Sequence, residues 1–313
     1  TSREFIHHLQ EIDRVLFKVL FEGYERWEGL KNLGLSDSTY FIITADHGGF
    51  PIQAKSELIQ DLKKLPLRMK NKQASQKVLK QCNLLVAYTD GFANLYVRNP
   101  STKNWKDKVD YSQIIAYPTS NGAINLIKLL LKIPTVSHLF IMNRELKSPT
   151  YQVFTRDGAS QIQRKIENKK TLISYQVLSG NDPFDYSGKP KIDQLIGGAY
   201  HPFDEWFRVL SDTNYPVMLD QIPRIFDCET GGDILMMGKE GYSFSKQRKK
   251  GTHDTGTAIC TRVPLIIAGP SIKHITIPIA RTVDIVPTLL YLLNKTTNFS
   301  QFDGRILTEI IKS

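Results

Sequence analysis

Apolar side chains recur at the three-and-four spacing of a helix through Phe5, Ile6, Leu9, Ile12, Val15, Leu16, Val19 and Leu20. This predicts an amphipathic helix running from the start of the chain to about Leu33, with Gly34 as its C-cap. The β-branched and aromatic run Thr39-Tyr40-Phe41-Ile42-Ile43-Thr44-Ala45 then predicts a buried strand. A polar, lysine-rich connection from Lys55 to Lys80 has helical periodicity through Leu58, Ile59, Leu62 and Leu65. From Asn83 the pattern changes to short apolar runs, at 84–87, 94–97, 138–141, 151–154 and 172–177. Turn pairs such as Asp90-Gly91 and Asp157-Gly158 separate them, and a helical stretch at 123–131 interrupts them. Such a pattern predicts an α+β region with a small, largely antiparallel sheet. Helices are predicted at 201–210 and 217–226, the second kinked or split at Pro223. Core strands follow at 232–237 and 263–268, and a last helix at about 283–293 has its proline in the first turn.

The alternation at the two ends of the chain predicts an α/β fold, a mostly parallel sheet with helices on both faces. Residues 1–66 and 199–313 then form the two parts of that core, and 67–198 an α+β, cap-like insertion. Within the insertion, Thr89 to Tyr96 reads as a hairpin around Asp90-Gly91, with a substrate loop as the alternative.

Composition changes this picture little. Hydrophobic residues make up 41% and charged residues 23% of 313, close to globular averages. No apolar run is long enough to span a membrane. The formal charge of +10 invites a polyanion partner, but Lys and Arg are dispersed, and the densest run is Lys246, Arg248, Lys249 and Lys250. No nucleic-acid-binding motif accompanies it, so attraction to phosphorylated small molecules fits the charge better than dedicated nucleic-acid binding. Cys82, Cys228 and Cys260 lie far apart with no CxxC pair, which argues against a structural zinc site and a disulfide scaffold and for three buried thiols, with one bridge and one free thiol as the alternative.

The chemistry concentrates in Asp46-His47-Gly48, which closes the first predicted strand. Ligand sites in open α/β sheets lie beyond the carboxyl ends of strands, and Asp oxygen and His nitrogen are ordinary zinc ligands. Far downstream come Gly251-Thr252-His253-Asp254, then Val263-Pro264-Leu265-Ile266-Ile267-Ala268-Gly269-Pro270, then Arg281-Thr282-Val283-Asp284-Ile285-Val286-Pro287-Thr288-Leu289-Leu290. In this order the motifs resemble the alkaline phosphatase superfamily, most of all its type I phosphodiesterase and nucleotide pyrophosphatase branch. The resemblance spans residues 1 to about 66 and about 199 to 313.

The resemblance implies a metal-dependent hydrolase of phosphodiester or phosphomonoester bonds, acting on a phosphorylated small molecule or nucleotide. A sulfatase, a phosphoglycerate-mutase relative and a non-catalytic binding descendant are the alternatives. It implies two divalent ions, zinc by expectation, with manganese or iron also compatible with such ligands. Two ions about 4 Å apart activate the attacking oxygen and clamp the non-bridging oxygens of the transferred group. Matched motif by motif, Asp46 and His47 correspond to ligands of one ion, and His253 to a ligand of the other. The family's nucleophile and its Asp-x-x-x-His pair have no counterpart here. The resemblance therefore implies the C-terminal portion of a larger enzyme, inactive by itself, with no catalytic nucleophile in this chain. Where the family has Gly after the downstream histidine this sequence has Asp254, which offers an extra ligand, an acceptor behind the ligand, or a steric problem. His7, His8, His138, His201 and His274 read as structural or solvated, Asp13 as a capping or supporting residue, and Arg281 with Asp284 as an anchor for the last helix.

Overall fold

The computed structural model describes residues 3–55, 57–70, 75–168, 170–245 and 250–312. Its contacts divide the chain into two units, Thr1–Asp46 with Pro264–Ser313, and His47–Val263. The sequence boundaries expected at 66/67 and 198/199 both fall inside the second unit.

In the first unit the opening helix is shorter than its periodicity predicts. Arg3–Arg14 is α-helical, Val15–Glu22 continues as a π-helix, and the chain turns at Gly23. Gly23 has φ 100°, a left-handed backbone that glycine adopts without steric cost. The turn also brings Gly29 so close that a Cβ there would meet the Gly23 nitrogen at 2.4 Å. A short helix, Gly29–Asn32, follows and ends as predicted at Gly34, where Leu35 N–H donates to the Leu30 carbonyl at 2.8 Å in a Schellman closure. The strand Phe41–Thr44 forms where expected, and Phe21 stacks on Phe41 with ring centroids 4.7 Å apart. It pairs with Leu265–Ala268, but antiparallel, so Thr44 lies opposite Leu265. The pair is partly exposed rather than buried, with Ile43 41% and Ile266 55% accessible. The last helix, Ile285–Leu292, is anchored as expected. Buried Asp284 accepts from the Arg281 and Arg305 backbone N–H groups at 2.8 and 2.9 Å, and Thr288 Oγ1 links the Asp284 carbonyl to Leu307 N–H.

The second unit is built on a nine-stranded sheet. From one edge the strands are His201–Pro202, Lys170–Gly180, Gly158–Glu167, Thr150–Phe154, Val136–Asn143, Ile234–Gly238, Phe92–Val97, Leu84–Tyr88 and Met69–Lys70. Every pairing is antiparallel except the outermost, Met69–Lys70 with Leu84–Tyr88. The fold is therefore mixed α/β with a mainly antiparallel sheet, as expected for the strands of 67–198, whereas Ile234–Gly238 and His201–Pro202, both within the expected parallel core, join that antiparallel sheet instead. Between strands that follow one another in the chain the physical reason is connection length. Turns such as Thr89-Asp90-Gly91 return the chain directly, and only a crossover would permit parallel neighbours. The strand Ile234–Gly238, expected in a parallel core, is the central member, bonded to Val136–Asn143 on one side and Phe92–Val97 on the other. Gly158–Glu167 was unforeseen, because its polar alternation Gln161, Gln163, Lys165 lacks an apolar run.

Helices cover both faces of this sheet. Ile234 and Met236 belong to one buried cluster, with Leu58, Leu62, Ile114, Leu126 and Leu130 from the helices Leu58–Lys63, Tyr111–Ile115 and Leu126–Leu130. Leu235 and Met237 belong to the other, with Trp206, Leu210, Leu219, Ile222 and Phe226 from Phe203–Leu210 and Met218–Phe226. Alternate residues of one strand thus feed two cores, which explains why it reads as an unbroken apolar run. Pro223 lies inside Met218–Phe226, and the helix continues through it rather than splitting. Cys82 and Cys260 are buried free thiols, whereas Cys228 is exposed, against expectation. A hydrogen bond with Thr230 lowers the Cys228 thiol below its ordinary range.

Candidate functional site

Two loop segments of the second unit are laced together around a pair of histidines. Phe50–Pro51 and Gly251–Thr252 form a short antiparallel ladder, in the register Phe50 to Thr252. On either side of it, Gly48 N–H donates to the Cys260 carbonyl and Ile52 N–H to the Lys250 carbonyl, each at 2.8 Å. The glycines of the motif are required by close approach. A Cβ on Gly48 would sit 2.0 Å from the Ile259 carbonyl oxygen, a distance no real pair of atoms adopts. Below the loop, buried Thr255 bonds to Thr257 Oγ1 at 2.8 Å and to the Cys260 sulfur at 3.2 Å.

His47 and His253 lie face to face across this lacing, ring centroids 3.8 Å apart and planes 24° from parallel. The Nδ1 of His47 is 2.8 Å from the Gly48 carbonyl oxygen. The Nδ1 of His253 contacts the carboxylate of Asp254. Both partners are acceptors, so each contact assigns the proton to Nδ1 and the lone pair to Nε2. Asp254 has φ 74°, the left-handed region. This position is where the resemblance has glycine, and Asp is among the side-chain residues that tolerate that conformation best.

A third segment supports the loop from behind. The strands Leu84–Tyr88 and Phe92–Val97 form a hairpin, as predicted for Asp90-Gly91, with Thr89 N–H donating to the Phe92 carbonyl at 2.8 Å. A Cβ on Gly91 would stand 2.2 Å from the Asp254 carbonyl oxygen and 3.0 Å from that of His253. Sequence patterning gave the hairpin but no sign that its glycine abuts the histidine loop. That contact joins segments far apart in the chain.

Of the three residues expected to bind metal, the fold brings His47 and His253 together. Asp46 is exposed and is the last residue of the first unit, bonded covalently to His47. Among the described residues no group of three or more His, Cys, Asp and Glu side chains stands ready to hold a metal ion. Lys246, Arg248 and Lys249 lie outside the described residues, and Lys250 is exposed beside the ladder. His138 is structural, as expected. It is buried with Nε2 donating to the Pro183 carbonyl at 2.8 Å, and its desolvation lowers the imidazole pKa to about 4. His201 lies 3.6 Å from Glu205 within one helical turn.

No protein-family model, curated protein or solved structure matches this chain. Among the described residues no helix is long and apolar enough to cross a membrane.

Proposed function

We propose that this chain carries part of the metal centre of a phosphate-ester hydrolase, with His47 and His253 as ligands of two neighbouring divalent ions. The observation that carries the reading is the stacked pair itself. Two imidazoles on one tetrahedral zinc splay apart, with ring centres roughly 5 Å distant for Zn–N bonds of about 2 Å. Rings 3.8 Å apart and nearly parallel instead suit one ring per ion, in a site whose ions are separated by about 3.5–4 Å. The Nδ1 contacts to Gly48 and Asp254 support the same use, because a ligating histidine ordinarily donates its other nitrogen to a carbonyl or carboxylate.

The residues present fit one nitrogen per ion and fall short of a complete coordination sphere for either. Asp46, next to His47, is the carboxylate the sequence offers beside it. When bound, such ions supply Lewis-acid stabilisation to a phosphoryl group. The part of this chain is to fix two imidazoles side by side, with the ladder and the Gly48 bond holding their spacing. The substrate class remains a phosphorylated small molecule or nucleotide, consistent with the net charge of +10.

Cobalt(II) titration followed by visible absorption tests this reading. The 313-residue chain is expected to bind cobalt weakly, the His47→Ala/His253→Ala double variant not at all, and inorganic phosphate to bind only the metal-loaded form. Equal cobalt binding by parent and double variant, or phosphate binding indifferent to metal, would overturn it.

A further inference from the structure

Asp254 stands where the resemblance has glycine, in a backbone conformation that favours glycine, with φ 74°. Its carboxylate nevertheless lies on the Nδ1 of the preceding histidine rather than in solvent. Its carbonyl is hemmed in by Gly91, where even a methyl group would collide at 2.2 Å. The backbone of residue 254 is thus held from behind while its side chain reaches forward onto the ring.

We infer that Asp254 is a positioning residue for His253: its carboxylate fixes the proton on Nδ1 and so presents the Nε2 lone pair at the edge of the histidine stack. The inference rests on the metal-centre reading and deepens it, since a carboxylate behind a ligating imidazole orients the ring and raises its basicity. Three features act together. The left-handed backbone turns the side chain back toward its neighbour, the Gly91 approach keeps the loop from relaxing, and the His47 face 3.8 Å away confines the ring plane. These steric contacts leave open the flip of the ring within its plane and its tautomer, and the carboxylate on Nδ1 decides both.

The test uses the full 313-residue chain with ¹⁵N-labelled histidine, free of metal and at a pH well above the imidazole range. His253 is expected in the Nδ1–H form in the parent. It should move several-fold toward Nε2–H in Asp254→Gly, which relieves the backbone and removes the acceptor. Asp254→Asn retains an acceptor oxygen and should keep the parental tautomer, whereas Asp254→Ala keeps a side chain at this backbone but loses the acceptor and should shift as Asp254→Gly does, which separates positioning from backbone effects. Cobalt affinity should fall about 10- to 100-fold in Asp254→Gly and recover in Asp254→Asn. An unchanged His253 tautomer in folded Asp254→Gly would overturn the inference. The expected tautomer shift between parent and Asp254→Gly, with a parent that binds no cobalt, would support the positioning role and remove the metal reading above, so the two failures are distinguishable.

Discussion

Burial of His138 among Phe140, Phe184 and Tyr215 keeps its imidazole neutral, with a pKa of about 4 set mainly by desolvation and partly offset by the Pro183 carbonyl. The direction of the linkage follows from which state binds the proton. Between the ordinary imidazole value near 6.5 and about 4, the unfolded chain takes up a proton that the folded chain refuses. Stability contributed by this group is therefore full above the upper value and is lost as pH falls toward the lower. The whole effect is about 3 kcal/mol. Urea unfolding of parent and His138→Gln across this range should show the parent losing that much more stability than the variant on acidification. Parallel curves would show that His138 is solvated or already protonated in the fold. His138 also shows what residue-level reading achieves. Its structural role was anticipated from its place at the start of an apolar run, whereas its aromatic surroundings come from Phe184 and Tyr215, outside that run.

At the scale of elements, the candidate site depends on loops meeting loops. The ladder between Phe50–Pro51 and Gly251–Thr252 and the bond from Gly48 to Cys260 fix one side, and the hairpin glycine Gly91 fixes the other. Since the Asp254 carbonyl leaves no room at Gly91, Gly91→Ala must push the His253 loop away and should cost roughly 1–3 kcal/mol, as overpacking does. The nearby Gly251→Ala meets only the Phe50 carbonyl at 3.5 Å and is the matched control. Denaturant unfolding and the ring-current shifts of His47 and His253 should both change in the first variant and stay near parental values in the second. Unaltered histidine shifts in Gly91→Ala would mean that the hairpin does not support the loop. Several elements were legible beforehand because each has a local signature. The Schellman glycine Gly34, the hairpin at Asp90-Gly91 and the helix Leu58–Lys63 are of this kind. The break at Gly23 was not, since helical periodicity runs straight up to it and only the return of Gly29 against the helix end reveals the turn.

Across the whole molecule, burial is uneven. All five residues of Ile234–Gly238 are buried between two apolar clusters, whereas Arg3–Arg14 has no buried residue. Local opening free energy follows apolar contact, so amide hydrogen exchange should be slowest along Ile234–Gly238 and Val136–Asn143 and fastest along Arg3–Arg14. Comparable protection in the two regions would contradict this distribution. The sequence alone determined many of the longer helices and strands, the hairpin, the anchoring of the last helix by Asp284 and the chemical types at Asp46, His47 and His253, because each is encoded by side chains within a few residues of one another. Only the tertiary structure decided that Ile234–Gly238 lies at the centre of the antiparallel sheet rather than in a parallel core, that the two histidine rings stack and that Asp254 reaches His253 in a left-handed backbone. The place of Ile234–Gly238 is set by the strands it meets across the sheet, and the histidine stack by a ladder between segments at opposite ends of the second unit. Neither leaves a trace in local periodicity, since the energies that select them come from contacts between residues remote in the chain.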